Sequence, residues 1–217
     1  MALVKKGSRL DWWVGRARSP VGGRCDCPQG IGRGMASHPV RHGLPYDYAR
    51  GLMTRRFGDR ATFAVEIGEV EPHQLRVVDL WAAGTRLTTE DNYAFLPYLI
   101  RVMRSSAAQV RRREVKPCPF PGRTPEEIFR LLHADDTEFR EQSWFMQWGE
   151  TVDNVSKYAY LDDDLVIIFA FWRPDHPFPD DLGKVFVARI PPEEFVSTVE
   201  EAADLLDAEL VNVEPPR

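Results

Sequence analysis

Asp162-Asp163-Asp164-Leu165-Val166-Ile167-Ile168-Phe169-Ala170-Phe171-Trp172 is the stretch that decides the fold of this chain. Eight consecutive apolar residues, Leu165 to Trp172, lie between an aspartate run and the turn signal Arg173-Pro174-Asp175. Rich in β-branched and aromatic types, they predict a strand buried on both faces. Such a strand needs apolar layers above and below it, and the neighbouring sequence supplies them.

Downstream, the linker Arg173 to Gly183 holds three prolines and ends in Asp180-Asp181-Leu182-Gly183. Lys184 to Ile190 then reads as a second strand. Pro191-Pro192-Glu193-Glu194 opens a helix, with proline and negative charge where the helix dipole favours them. Phe195, Val199, Ala202 and Leu206 fall on one face of that helix.

Upstream, Lys157 to Tyr160 leads into the central strand through a turn at the aspartates, and Trp144 to Trp148 is a further strand candidate. Thr124-Pro125-Glu126-Glu127 predicts a capping box opening a short helix that buries Ile128, Leu131 and Leu132. Between Tyr93 and Ser105 an apolar stripe of Phe95, Leu99, Val102 and Met103 predicts a helix, with Pro97 in its first turn or kinking it. Thr62 to Ile67 alternates as a half-buried strand, Gly68 to Gln74 reads as a turn, and Leu75 to Trp81 completes an antiparallel hairpin. The order strand, strand, helix, helix, strands, helix predicts an α+β fold, a mostly antiparallel sheet with helices packed on it.

The chain has 217 residues, 43% hydrophobic and 28% charged, the profile of an ordinary soluble domain. No apolar run reaches the roughly 18 to 20 residues that span a bilayer. The opening Met-Ala-Leu-Val-Lys-Lys-Gly lacks the apolar block of a signal peptide, so a cytoplasmic protein with no membrane partner is expected. Cys25, Cys27 and Cys118 are too few for a disulfide framework, in keeping with a reducing compartment.

Charge divides the chain. Residues 1–52 carry nine Lys/Arg against three Asp/Glu, whereas 53–217 carry nineteen against thirty, so a basic extension of about +6 precedes an acidic region of about -11. Residues 1–56 hold nine of the fifteen glycines and no apolar period, which predicts a disordered extension, with the Trp12-Trp13 pair as a counter-signal. Met53, just ahead of recognisable structure, is an alternative start; the folded domain is expected over residues 57–210.

Chemical motifs are sparse. Cys25, Cys27, His38 and His42 provide zinc-type donors, but the thiols are one residue apart and no element holds them, so no metal site is assigned. Gly30-x-Gly32-x-Gly34 follows no strand and opens no helix, which excludes a nucleotide loop. Arg111-Arg112-Arg113 reads as a solvated helix end, and nucleic acid is not an expected partner. Cys118 lies between prolines with no base in sequence reach, His73 and His176 fall in predicted loops, and His133 ends a helix. Neighbouring carboxylates such as Asp135-Asp136 point apart. Neither catalytic nor cofactor-binding residues are assigned, and an enzyme is not expected. Asp162, Asp163, Asp164, Asp175, Asp180 and Asp181 flank strand ends; gathered at one sheet edge, they would form an acidic surface for a basic partner. Solvated, turn-forming aspartate is the plainer reading of the same residues.

Three stretches carry a family resemblance: Phe57-Gly58-Asp59-Arg60-Ala61-Thr62-Phe63-Ala64-Val65-Glu66-Ile67, the following strand with Trp81 and Gly84, and Val187-Ala188-Arg189-Ile190-Pro191-Pro192-Glu193-Glu194-Phe195 with its acidic helix. Together they resemble the immunity protein 42 family of bacterial polymorphic toxin systems over most of residues 57–207. The motifs are hydrophobic patterns rather than a catalytic signature, and the stretch before Met53 departs from the family's pattern. The resemblance implies a small cytoplasmic protein that binds and neutralises a cognate toxin, with no chemistry of its own. An acidic domain would suit a basic, nuclease-like toxin. The other functional class is a small enzyme or nucleotide-handling domain, which would require a pocket placing Cys118 or a loop histidine beside a carboxylate.

Overall fold

Alternation along the central strand is what organises the layers. In the computed structural model, which describes residues 54–213 with side chains through Leu210, strand β7 (Leu165–Phe171) is buried at all seven positions. Leu165, Ile167, Phe169 and Phe171 face the main core, while Val166, Ile168 and Ala170 face a second cluster. Strands β6 (Val155–Leu161) and β8 (Phe186–Ile190) flank it antiparallel, giving a three-stranded sheet.

A second antiparallel sheet is built from β1 (Arg55–Asp59), β2 (Phe63–Glu71), β3 (Leu75–Ala82), β4 (Thr85–Arg86) and β5 (Tyr93–Phe95). Phe63, Val65 and Ile67 of β2 stand opposite Ala82, Leu80 and Val78 of β3 and form its inner face. Onto that face pack α1 (Leu96–Arg111) and α4 (Pro192–Val213), which contact each other along their lengths. Phe195, Val199, Ala202 and Leu206 of α4 are all buried, as their spacing predicts. The inner faces of both sheets and the two helices share one continuous core. Helix α2 (Pro125–Ala134) covers the other face of β7 with Ile128, Phe129 and Leu132, and a single turn, α3 (Glu138–Glu141), follows it. The α+β class read from the sequence is the observed one.

Local signals hold where the chemistry is local. Thr124 accepts a hydrogen bond from the Glu127 amide at 3.3 Å, and the Glu127 carboxylate accepts one from the Thr124 amide at 3.0 Å, so the capping box is complete. Pro97 sits in the first turn of α1, where its missing N–H goes unneeded. Other expectations are corrected. Residues 1–53 of the extension lie outside the described residues, but Arg55 and Arg56 belong to β1, an outer strand of exposed charged residues that its ladder with β2 and the partly buried Phe57 hold in place. Strand β2 runs on through an irregularity to Glu71, so the turn is confined to Pro72-His73-Gln74. Trp144 to Trp148 is not a strand; Trp144 makes one isolated bridge to Tyr158 while Phe145, Met146 and Trp148 plug the main core. On α2 the buried partner of Ile128 and Leu132 is Phe129, while Leu131 is 44% exposed.

Lys157 is the one lysine drawn into the core among the described residues. Its ammonium donates to the carbonyl oxygens of Val152 at 2.9 Å and Val155 at 3.3 Å. Burial, set only partly against the charge of Asp153, lowers its pKa from 10.5 to about 8. Between those two values the folded protein has released a proton that the unfolded chain keeps, so stability rises with pH across the window. The rise from this group should reach about 3 kcal/mol. Urea melts at pH 8 and 9.5 should show a higher midpoint at the upper pH, and Lys157→Met should flatten that difference. An unchanged pH dependence in the methionine variant would assign it elsewhere.

Candidate functional site

The six aspartates proposed from the sequence are divided by β7 itself. Asp162, Asp163 and Asp164 make the β6–β7 turn, where the Asp162 amide donates to the Asp164 carbonyl at 2.9 Å. Asp175, Asp180 and Asp181 lie beyond the other end of β7, in the connection to β8. Seven strand residues at about 3.3 Å each separate the two groups by on the order of 20 Å, so they form no single acidic edge. Each group keeps a separate setting. The first caps a hairpin, and the second belongs to a structured loop with aromatic neighbours.

That loop, residues 172–185, is moored at several points. The Trp172 indole N–H donates to the Asp153 carbonyl at 2.8 Å, and the Trp172 amide to the Asn154 carbonyl at 3.3 Å. Arg173 pairs with Glu90 at 2.5 Å. His176, 3% exposed, stacks on Phe171 with ring centroids 4.0 Å apart and meets Phe178 edge-on at 5.8 Å. A 3-10 turn at Pro179–Asp181 and a bridge from Leu182 to Phe171 close the loop. Beside the exposed Asp175, Asp180 and Lys184, the mooring leaves three apolar side chains outside: Phe178 is 52% exposed, Trp172 37% and Leu182 36%.

Across from it stands the β3–β4 hairpin, whose two-residue turn Ala83-Gly84 has positive φ at both positions, +51° and +73°. Such a turn matches the right-handed twist of the strands it joins. Between hairpin and loop opens a cleft of about 260 Å³, with Trp81, Arg86, Thr89, Phe171, Phe178 and Asp181 in its walls. Gly84 also lines it, and a Cβ there would meet nothing within 4 Å, so the turn leaves the mouth open.

The charges around the cleft are already partly answered. Glu66 accepts from both Nε and Nη2 of Arg60 at 2.7 Å and from the Trp81 indole N–H at 3.2 Å. Arg60 also lies over the Trp81 ring, 4.0 Å from its centroid. The Arg86 guanidinium faces Asp79 at 3.9 Å, and Asp79 further accepts from Thr88 and Asn92 at 3.0 Å each. The Asp181 carboxylate is 3.5 Å from the exposed Lys184 ammonium.

Behind the wall runs a buried polar chain. Asn154 Nδ2 donates to the Leu87 carbonyl at 3.1 Å and to Thr89 Oγ1 at 2.8 Å. Thr89 Oγ1 in turn lies 3.5 Å from His176 Nδ1. Thr89 Oγ1, which already accepts from Asn154, and His176 Nδ1 share one proton between them, and the direction of that bond follows the imidazole tautomer. Burial lowers the His176 pKa below its ordinary value, against the opposing pull of Asp181 and Glu90, so the ring is neutral near pH 7. A Thr–His catalytic pair would need a group orienting the far nitrogen. Nε2 is buried and has no hydrogen-bond partner among the described residues.

A second histidine, His133, stacks on Phe129 at 5.5 Å and lies 3.4 Å from the Tyr158 hydroxyl under α2. Burial lowers the pKa of His133 and raises that of Tyr158 to about 12, holding both neutral. That is the signature of a packed hydrogen bond rather than an activated tyrosine. Cys118 packs, partly buried, against the same cluster. Arg111 ends α1 paired to Glu200 of α4, and Arg112 pairs with Glu114. Among the described residues no group of three or more His, Cys, Asp or Glu is arranged to hold a metal ion; Cys25, Cys27, His38 and His42 lie outside them. No helix among them is long and apolar enough to cross a membrane.

The sequence reading missed the cleft because its walls come from positions about ninety residues apart. Trp81 reads as a strand residue and His176 as an isolated loop residue, and nothing local singles out Thr89. The one local signal was His176-Pro177-Phe178, an aromatic and a histidine set into a proline-rich connection. Comparisons with protein-family models, with curated proteins and with solved structures find no match to this chain.

Proposed function

We propose that the protein is a cytoplasmic binding protein that neutralises a cognate bacterial toxin by direct contact, engaging it through the loop between β7 and β8. The observation that carries this reading is the set of exposed apolar side chains, Trp172, Phe178 and Leu182, held among Asp175, Asp180 and Asp181 on a loop moored by hydrogen bonds and ring stacking. Aromatic anchors on a pre-ordered surface are what protein interfaces use, because little side-chain and loop entropy is lost on binding. The surrounding carboxylates favour a basic partner and speed its approach. The sequence resemblance to toxin-immunity proteins supports the same reading and is the ground for proposing a toxin as the partner.

Co-expression with the product of the adjoining gene, tested as the toxin, should restore growth, and the two proteins should co-purify; absence of both rescue and complex would sink the proposal. The two aspartate groups then provide an internal comparison. Changing Asp175, Asp180 and Asp181 together to asparagine should slow association by about tenfold at low salt and flatten its salt dependence. The same change at Asp162, Asp163 and Asp164, on the far end of β7, should leave the association rate within about twofold of the parent. Equal slowing by both triples would place the partner elsewhere.

A further inference from the structure

We propose that the cleft between Trp81 and Phe178 receives the cationic end of an arginine or lysine side chain presented by the protein partner. This rests on the binding reading of the β7–β8 loop and names what that loop takes in. Trp81, Phe171 and Phe178 line the cleft together with Asp181, Phe171 being 2% exposed with one ring face stacked on His176. Aromatic faces attract cations through the ring quadrupole, and a carboxylate at the same place adds a charged hydrogen-bond acceptor. The molecule already shows the contact once: one face of Trp81 carries the Arg60 guanidinium at 4.0 Å.

Size points to a side chain. At about 260 Å³ the cleft falls just below the roughly 300–1,000 Å³ of small-molecule sites. The one cation in its walls, Arg86, faces Asp79 at 3.9 Å, so its charge is set against the sheet's own carboxylate. Asp181 is held by Lys184 alone among the described ion pairs, at 3.5 Å and with the lysine side chain mostly exposed. An exposed pair of that kind is weak and exchanges readily for a better-placed cation. An anionic guest would meet Asp181 directly and would have to draw Arg86 from Asp79. The Thr85 hydroxyl, also in the lining, can accept from the N–H groups of a guanidinium or ammonium.

The test uses the full chain, low salt and four neutral-capped probes: N-acetyl-arginine amide, N-acetyl-lysine amide, N-acetyl-citrulline amide and N-acetyl-glutamate amide. Binding is read by calorimetry and by the NMR shift of the Trp81 indole N–H. The arginine and lysine probes should saturate and move that signal. Citrulline, which keeps the shape and loses the charge, should bind about tenfold more weakly or not at all. Asp181→Asn should weaken the arginine probe by about tenfold, and Phe178→Ala, at a half-exposed site outside the core, by several-fold. Asp163→Asn, at the other end of β7, should change nothing. Citrulline binding as well as arginine, preference for the glutamate probe, indifference to Asp181→Asn, or no binding by any probe would each overturn the inference. Failure of the probes with the toxin complex intact would remove this inference alone, whereas loss of the complex would remove the reading beneath it.

Discussion

Gly58→Ala should cost about 3 kcal/mol or more of folding stability, far beyond an ordinary glycine substitution on an exposed strand. Gly58 lies in β1 with φ of +76°, in the left-handed region where a side chain is strained. A Cβ there would stand 2.3 Å from the Phe63 carbonyl oxygen and 2.9 Å from the Thr198 side chain of α4. The first contact is with backbone and cannot be relieved by a rotamer change. The second would push α4 from the sheet it covers, which loosens the packing of Phe195 three residues earlier. A urea melt compares the variant with the parent, and Gly84→Ala is the informative partner. That glycine also has positive φ, but its added Cβ meets nothing within 4 Å, so it should lose only about 1 kcal/mol. Equal losses at both glycines would mean that conformation alone, and not the close approach of the Phe63 carbonyl and of α4, sets the cost.

Phe195→Ala is the other large effect, expected at about 3–5 kcal/mol. Phe195 is fully buried in the first turn of α4 and packs against Phe63 of β2 at 4.9 Å and Phe145 at 5.5 Å between ring centroids. Removing its ring takes contacts from a strand, a helix and the irregular segment that plugs the core. The surrounding structure cannot collapse into the space, because those three elements are fixed by the ladder, by the helix pair and by the Trp148 hydrogen bond to Ser106 at 3.0 Å. Leu131→Ala, on the exposed side of α2, should stay within about 0.5 kcal/mol of the parent in the same melts. A loss at Phe195 below that of Leu131 would contradict the placement of the core.

These two positions also show what the sequence could and could not disclose. Phe195 was legible, because its helical spacing with Val199, Ala202 and Leu206 marks a buried face whatever it packs against. The same holds for Leu165 to Phe171 and for Thr124 with Glu127, where composition or a hydrogen bond between near neighbours carries the signal. Gly58 was not legible as a constrained position, since its constraint comes from the approach of the Phe63 carbonyl across the β1–β2 pair and of Thr198, one hundred and forty residues away. Strand β1 escaped detection for the same reason: Arg55, Arg56 and Asp59 have no apolar period, and pairing with β2 makes them a strand. The acidic residues were found as residues and misjudged as a group. Their separation is a property of strand length, which runs Asp162–Asp164 and Asp175–Asp181 to opposite ends of β7. Leu131 failed because a three- or four-residue step along α2 can be phased on Phe129 as well, and only the sheet beneath decides between them.

Strand β7 gives alternate side chains to two hydrophobic clusters, and this ties their fates together. Val166, Ile168 and Ala170 alternate with Leu165, Ile167 and Phe169 along one strand, so β7 cannot leave the α2 cluster without leaving the main core as well. Unfolding of β7 therefore removes the sheet side of both cores at once. The loop that begins after Phe171 is thereby anchored to the one strand that both cores hold.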